Sequence, residues 1–196
     1  MTPAERRRHV VLAGHRDDEM TARRALSDDD AAVRAGALGA LERLGRLTDA
    51  TLSDALADRD PAVRRRAAEI AARHRDVSLL CALDDPDERV IEMAAFACGE
   101  QEGSDPAIVD RLGTLAVDHP DPLVREAAVA ALGAIGAPGG LPAILHAAAG
   151  DKPAVRRRAV IALAPFDGPE VDAALAAALA DRDWQVRQVA EDLEAP

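Results

Sequence analysis

The sequence predicts an all-α fold, an α-solenoid in which about six two-helix repeats stack into a right-handed superhelix behind an N-terminal capping helix. A short acidic motif returns six times along the chain, and an apolar helical row follows each copy. Hydrophobic residues make up 48% of the 196 residues, whereas aromatic residues make up only 2%. Alanine, leucine and valine must therefore fill the core, and such small side chains suit helices that pack closely.

The repeated motif is Asp-x-Asp-x-x-Val-Arg, which is complete at 28–34, 58–64 and 181–187. Looser copies lie at 85–91, 121–125 and 151–156. The valines that anchor the six copies are Val33, Val63, Val90, Val124, Val155 and Val186, with spacings of 30, 27, 34, 31 and 31 residues. Repeats of this length are typical of solenoids, in which each unit needs its neighbours to complete the core.

The valines predict the second, or B, helix of each unit. An alanine follows every valine by four residues, at Ala37, Ala67, Ala94, Ala128, Ala159 and Ala190. A third apolar residue follows eight residues after the valine in the first five copies. Apolar residues at i, i+4 and i+8 share one face of an α-helix. The Asp and Pro residues before the valine favour a helix start.

A second apolar segment precedes each motif and predicts the first, or A, helix of each unit, at 20–26, 52–57, 77–83, 108–117, 141–148 and 171–180. Gly45, Gly99, Gly136 and Gly168 fall between units, where helix C-termini favour glycine. The predicted units are 17–45, 48–74, 76–100, 105–136, 139–166 and 168–195. Residues 3–13 are predicted to form an N-terminal cap helix. The cap and the six units together make residues 1–196 a single predicted solenoid.

The pattern resembles the HEAT repeat family, specifically the short HEAT-like repeats first associated with phycobilisome lyases. The resemblance covers about residues 17–195 and rests on six copies that agree in phase. It implies that the Asp and Arg of the motif form an inter-repeat ladder, and that B helices line a concave surface. Because this class of protein serves many tasks, the resemblance is informative about fold and much less so about function.

Charge and composition argue against several classes of partner. The chain has 24 basic and 35 acidic residues, a net charge of −11, whereas a nucleic-acid binder needs a basic stripe. Trp184 is the only tryptophan and there is no tyrosine, which leaves little for base stacking. Neither a signal peptide nor a membrane span is evident. We expect a cytoplasmic protein that binds neither nucleic acid nor membrane, as a monomer or a subunit of a complex.

No pattern indicates catalysis, a metal or a cofactor, and we expect none of them. No histidine precedes a glutamate, and no two histidines have the i, i+4 spacing of a helical metal site. Deoxyhypusine hydroxylase, a HEAT-repeat enzyme class, is recognised by such His-Glu pairs. We expect His119 to be solvated. Cys81 and Cys98 lie in one unit, and we interpret Cys98 as a buried hydrophobe, with a redox pair or a bilin-holding thiol as the alternative.

The remaining candidate is the surface of the B helices opposite the core, at positions 2, 3, 6 and 10 after each valine. Met93 and Phe96 are apolar there, where a solvated helix favours charge, and arginines flank them. Large apolar groups beside arginine are typical of protein-binding hot spots. The alternative is that the irregular third unit buries Phe96. The predicted partner-binding residues are Arg65, Arg66, Glu69, Arg73, Met93, Phe96, Arg157 and Arg158.

These observations predict a non-catalytic scaffold or adaptor that binds a partner protein through its concave B-helix surface. A bilin-lyase-like enzyme or chaperone is the alternative that the family resemblance implies. A nucleic-acid-binding protein related to the HEAT-like alkylpurine DNA glycosylases is a third reading, and the charge and composition oppose it.

Overall fold

The structure is a computed structural model that describes residues 1–101, 103 and 105–194. Within these residues the chain forms twelve α-helices and two short 3-10 helices. The all-α solenoid that the sequence predicts is confirmed. The last predicted unit ends at residue 195, which lies outside the described residues.

The helices follow the predicted alternation of A and B. The cap is α1 (Pro3–Ala13), which starts with a capping box between Thr2 and Glu5. The units that follow are α2 (Glu19–Ala25) with α3 (Ala31–Arg43), α4 (Asp49–Leu56) with α5 (Pro61–Ala71), a 3-10 helix (Leu80–Asp84) with α6 (Glu88–Glu100), α7 (Pro106–Asp118) with α8 (Pro122–Ile135), α9 (Leu141–Gly150) with α10 (Pro153–Ala162), and α11 (Pro169–Leu179) with α12 (Trp184–Glu194). The second 3-10 helix, Pro138–Gly140, leads into α9.

Acidic residues start most B helices, as the motif predicts. The Asp60 side chain accepts a hydrogen bond from the Ala62 amide at 2.9 Å, and Asp121 accepts one from Leu123 at 2.8 Å. These bonds satisfy amides that have no partner inside the first helical turn. The six anchoring valines are each at most 2% exposed, so the predicted core face of the B helices is confirmed.

The third unit differs from its prediction. An α-helix was expected over 77–83, whereas the structure has an irregular segment followed by the 3-10 helix Leu80–Asp84. The apolar residues Val77, Leu79 and Leu83 are nevertheless buried in the main core. Gln101 holds the segment in place, because its side-chain amide lies 2.9–3.2 Å from the carbonyl oxygens of Ala71, His74 and Val77. The apolar residues of segment 77–83 therefore reach the core although this segment does not form an α-helix.

The B helices lie on the inner side of the curved stack. In every layer, successive B helices contact each other more extensively than successive A helices do. Small residues permit this approach: a Cβ on Gly133 of α8 would lie 2.6 Å from the Ala162 Cα of α10. Gly99 was expected between units but lies inside α6, where a Cβ would be 3.2 Å from the Ala131 Cα. Gly45, Gly136 and Gly168 have positive φ at turns, as their predicted places require.

A ladder of ion pairs joins the layers and confirms the predicted role of the motif. Each rung is a bidentate pair between an arginine and the first Asp of the next copy of the motif. The rungs are Arg6–Asp28, Arg34–Asp58, Arg64–Asp85, Arg125–Asp151 and Arg156–Asp181, with shortest distances of 2.6–2.8 Å. The hydrogen bonds from Arg34 outweigh burial and lower the pKa of the Asp58 carboxyl. Burial opposes ionisation of Asp85, but the bonds from Arg64 and from the Asp87 amide, together with the Arg64 charge, still lower its pKa.

The ladder is interrupted once, between the third and fourth units. Ile91 occupies the arginine position of the third unit and is buried. His119 occupies the position of the facing aspartate, and its Nδ1 accepts a hydrogen bond from the Asp121 amide at 3.2 Å. The His119 carbonyl also accepts a bond from Arg125 at 2.7 Å. His119 is therefore a half-buried part of the loop, and the expectation that it is solvated is wrong.

Candidate partner-binding groove

A continuous groove runs along the inner side of the stack, over α1, α3, α5, α6, α8 and α10. It consists of adjoining cavities of about 390, 710 and 490 Å³. Arg65 lines both the first and the second cavity, and Arg158 and Ala130 line both the second and the third. We call this surface the inner groove. Successive B helices hold it in place because each of them buries its valine face against the core.

One end of the inner groove is rich in arginine. Its floor on α3 consists of small residues, among them Ala32, Ala35, Gly36 and Gly39. At Gly39 a Cβ would lie 2.8 Å from the Arg66 Nη2 atom, so the guanidinium of Arg66 extends over the floor. The cations of this arginine end are Arg7, Arg43, Arg65 and Arg66. They come from α1, α3 and α5, which are far apart in sequence but adjacent in the stack.

The other end of the inner groove is apolar. Phe96 is 53% exposed and Leu123 is 58% exposed, and Met93 lies partly buried in the same cavity. Ile161 continues the apolar surface on α10. We call Met93, Phe96, Leu123 and Ile161 the apolar end. Because the side chain of Phe96 is exposed, the alternative that the third unit buries it is wrong.

The charge of the inner groove is opposite to the charge of the chain. Six arginines and three glutamates line it, a net charge of +3, whereas the whole chain carries −11. Glu69 pairs with Arg66 at 2.8 Å, and Glu126 pairs with Arg158 at 3.6 Å. The other lining arginines, Arg7, Arg43, Arg65 and Arg89, make no ion pair with any residue that the structure describes. Their charge is available to a bound molecule.

Six of the eight predicted partner-binding residues line the groove, namely Arg65, Arg66, Glu69, Met93, Phe96 and Arg158. Arg73 and Arg157 do not line it, and Arg73 instead pairs with Glu42 at 3.2 Å. The predicted partner-binding residues do not include Leu123 and Arg89, which also line the groove and stand one residue before the valine of their units. On a helix, the position before the valine lies on the same face as the positions three and six residues after it. Extending the predicted stripe by one turn towards the helix start would therefore have included Arg89 and Leu123.

The cysteines and histidines form no cluster of metal ligands in the described part of the chain. No three His, Cys, Asp or Glu residues lie together as metal ligands there. Both cysteines are free: Cys81 is exposed, whereas Cys98 is buried. Burial raises the pKa of the Cys98 thiol to about 12, so this thiol is neutral at neutral pH and packs as a hydrophobe. No described helix is both long and apolar enough to cross a membrane.

Comparison with solved structures shows the same architecture. An engineered protein is 20% identical, with a TM-score of 0.65 over 90% of this chain and 94% of its own. The YibA protein of Escherichia coli is also 20% identical, with a TM-score of 0.64 over 93% of this chain and 71% of its own. A designed armadillo repeat protein in complex with the peptide (KR)4 is 18% identical, with a TM-score of 0.60 over 94% and 96%. At these identities the likeness shows the fold alone.

Sequence comparison identifies the repeat type. No curated protein matches the chain. A family model of HEAT repeats matches residues 77–153 and 110–193, which together cover more than half of the chain. The buried valines, the paired helices and the arginine–aspartate ladder agree with that match. The chain belongs to the HEAT repeat family.

Proposed function

We propose that this protein is a non-catalytic scaffold or adaptor that binds a partner protein in its inner groove. The observation that carries the proposal is the exposure of Phe96 and Leu123, two large apolar side chains that line the same cavity. Water solvates such side chains unfavourably, and a contiguous exposed apolar patch is typical of a protein-binding surface. Arginine around a large apolar anchor is typical of residues that contribute most of the binding free energy.

The architecture supports the same proposal. A stack of helices presents an extended surface whose side chains come from many units, and repeat proteins use such surfaces to bind other macromolecules. The designed armadillo repeat protein of similar fold was solved with a peptide bound. HEAT and armadillo-like folds usually serve as binding scaffolds, so we extend a protein or peptide partner to this chain as part of the proposal.

Affinity purification of the tagged protein from its own cells would test the proposal. We expect a partner that co-purifies with the wild type, is lost with Phe96→Ala or Arg65→Glu, and is retained with Trp184→Ala. Trp184 is a suitable control because it is 64% exposed and does not line the inner groove. Retention of every partner by both groove variants would show that the groove is not the binding surface.

A further inference from the structure

We infer that the occupant of the inner groove is an extended, acidic peptide segment that also carries large apolar side chains. This inference rests on the proposed function and adds the chemistry of the partner. The groove carries +3 within a chain of net charge −11, so its positive potential is local and faces inward. Complementary charge across an interface steers association and rejects partners of the wrong sign.

The arginine end receives the acidic side chains. Arg7, Arg43 and Arg65 have no carboxylate partner among the described residues, and they surround a floor of small side chains that leaves space above it. A guanidinium binds a carboxylate with two parallel hydrogen bonds, and the pair is strengthened where water is displaced. Carboxylates of a partner would therefore complete ion pairs that the chain itself leaves open.

The apolar end receives the large apolar side chains. Phe96 and Leu123 expose more than half of their surface into a cavity of about 710 Å³. The two ends lie about two helix layers apart, which is roughly 20 Å at the usual spacing of packed helices. An extended chain crosses that distance in about six residues. The segment that fits thus has its acidic and apolar residues in two blocks, separated by about six residues.

A nucleic acid fits these features less well, although it is also an anion. It carries a phosphate at every nucleotide and needs a continuous row of cations. In the inner groove Glu92 and the apolar end interrupt the row of arginines. The net charge of −11 on the chain also opposes the approach of a long polyanion.

Fluorescence anisotropy with labelled synthetic peptides would test the inference. Each peptide has an Asp/Glu block and a Leu/Phe block joined by about six Gly and Ser residues, and both block orders are made. In matched peptides Lys replaces every Asp and Glu. We expect the better acidic order to bind about tenfold more tightly than its Lys counterpart, because only carboxylates pair with the arginine end. We expect its affinity to fall about tenfold between about 0.05 M and about 0.3 M salt.

Matched variants assign the binding to the two ends of the groove. The double variant Arg43→Glu, Arg65→Glu should lower the affinity about tenfold at low salt and much less at high salt, because it removes charge. Phe96→Ser should lower the affinity by a similar factor, about tenfold, at both salt concentrations, because it removes apolar contact. The controls Arg182→Glu and Trp184→Ser alter exposed residues that do not line the groove and should leave binding unchanged.

Several outcomes would overturn the inference. They are equal binding of the acidic and Lys peptides, no binding of either, tighter binding of a labelled single-stranded DNA than of the acidic peptides, and a dimer in sedimentation that the groove variants abolish. If these peptides fail while the groove variants still lose the cellular partner, the groove remains the binding surface and only the acidic chemistry is wrong. If the cellular partner is also retained by the groove variants, both proposals fail.

Discussion

Four motif arginines each bond to two loops at once, namely Arg34, Arg64, Arg125 and Arg156. Arg34 donates from Nε and Nη2 to Asp58 of the next unit, at 2.8 and 2.7 Å. Its Nη1 donates to the carbonyl oxygens of Asp28 and Asp29 in its own loop, at 2.8 and 3.1 Å. Only a planar guanidinium presents donors in this arrangement, which explains why the motif has arginine and not lysine. Arg34 is buried, so these bonds also satisfy its charge.

Removal of one ladder arginine should therefore destabilise the protein strongly. We expect Arg34→Ala to lower the free energy of unfolding by about 3 kcal/mol, because Asp58 loses its ion-pair partner and two loop carbonyls lose their donor. Urea denaturation followed by circular dichroism measures this change. Arg16→Ala, at an exposed position, is the control and should change the free energy by about 0.5 kcal/mol or less. Equal effects of the two variants would contradict the structural role of the ladder.

His74 links three elements and makes stability depend on pH. Its Nδ1 lies 2.8 Å from Asp49 of α4, and its Nε2 lies 2.9 Å from Glu42 of α3. Burial alone would lower the pKa of His74, but the bonds to Glu42 and Asp49 outweigh it, so the pKa is raised. The protonated form is therefore favoured in the folded state. Its contribution to stability is complete below the ordinary histidine pKa of about 6.5 and is lost as pH rises through the folded-state pKa.

The unfolding free energy of wild type and His74→Ala, measured as a function of pH, should show this dependence. We expect the wild type to be the more stable below about pH 6.5, and the difference between the two proteins to shrink as pH rises above that value. The variant is its own control for all other titrating groups, because they are common to both proteins. A difference that is constant with pH, or that grows as pH rises, would contradict the assignment.

At the scale of the element, contacts between neighbouring B helices depend on glycine. We expect Gly133→Ala to lower the free energy of unfolding by about 2 kcal/mol, because its Cβ would overlap the α10 backbone at Ala162. Gly113→Ala in α7 is the matched control: its Cβ would lie an ordinary 3.9 Å from the Ala143 Cβ. That variant should gain about 1 kcal/mol from helix propensity. Thermal denaturation of both variants measures the difference, and similar changes in both would disprove the close packing.

Elements with a strong repeat signal were predictable from the sequence. The B helices carry a buried valine and an alanine four residues later, and most of them a capping Asp, so several local signals agree on the same structure. The segment 77–83 carries only an apolar pattern, and in so short a segment apolar residues reach the core equally well from a 3-10 helix. The bonds from Gln101 to the carbonyls of 71, 74 and 77 join residues distant in sequence, and no local pattern indicates them.

The candidate groove was predictable in part, for a related reason. The helical stripe puts Arg65, Met93 and Phe96 on the side of the B helices that lines the groove, because side-chain direction follows from the helix period. That Arg7 lines the groove could not be predicted from the sequence, because α1 carries no copy of the motif that would align it with the B helices. The position of Arg7 follows from the packing of α1 against α3, where it lies near Gly36. The exposure of Phe96 likewise depends on how α6 and α8 pack.

On the scale of the whole molecule, the buried apolar residues form one main cluster in the middle units and two smaller clusters, one towards each end. The main cluster of buried residues extends from Leu38 to Val171, whereas Val160, Ala178, Val186 and Ala190 form a small cluster around α12. In a stack each unit is stabilised by the apolar surface that it buries, and α12 buries its apolar residues in this small cluster and not in the main one. The last unit is therefore the least stabilised of the C-terminal half.

Hydrogen exchange should show this gradient. We expect amides of α12 to exchange about tenfold to a hundredfold faster than amides of α8, because local opening of the last unit exposes only the small terminal cluster. Mass spectrometry of peptides from the exchanged protein measures the rates. Amides of α6 are the internal reference, since this helix packs between α5 and α8. Equal protection of α12 and α8 would indicate that the stack opens only as a whole.

The interruption of the ladder at Ile91 and His119 restricts how such a chain can evolve by duplication or loss of units. An ordinary unit copied in front of the fourth would bring a buried guanidinium opposite an imidazole, and that junction would have a cation with no counterion. The same inserted unit would place its first motif aspartate opposite Ile91 of the third unit, where no arginine is present to pair with it. At their shared junction the third and fourth units therefore match each other and not an ordinary unit, which would lack its ion-pair partner there.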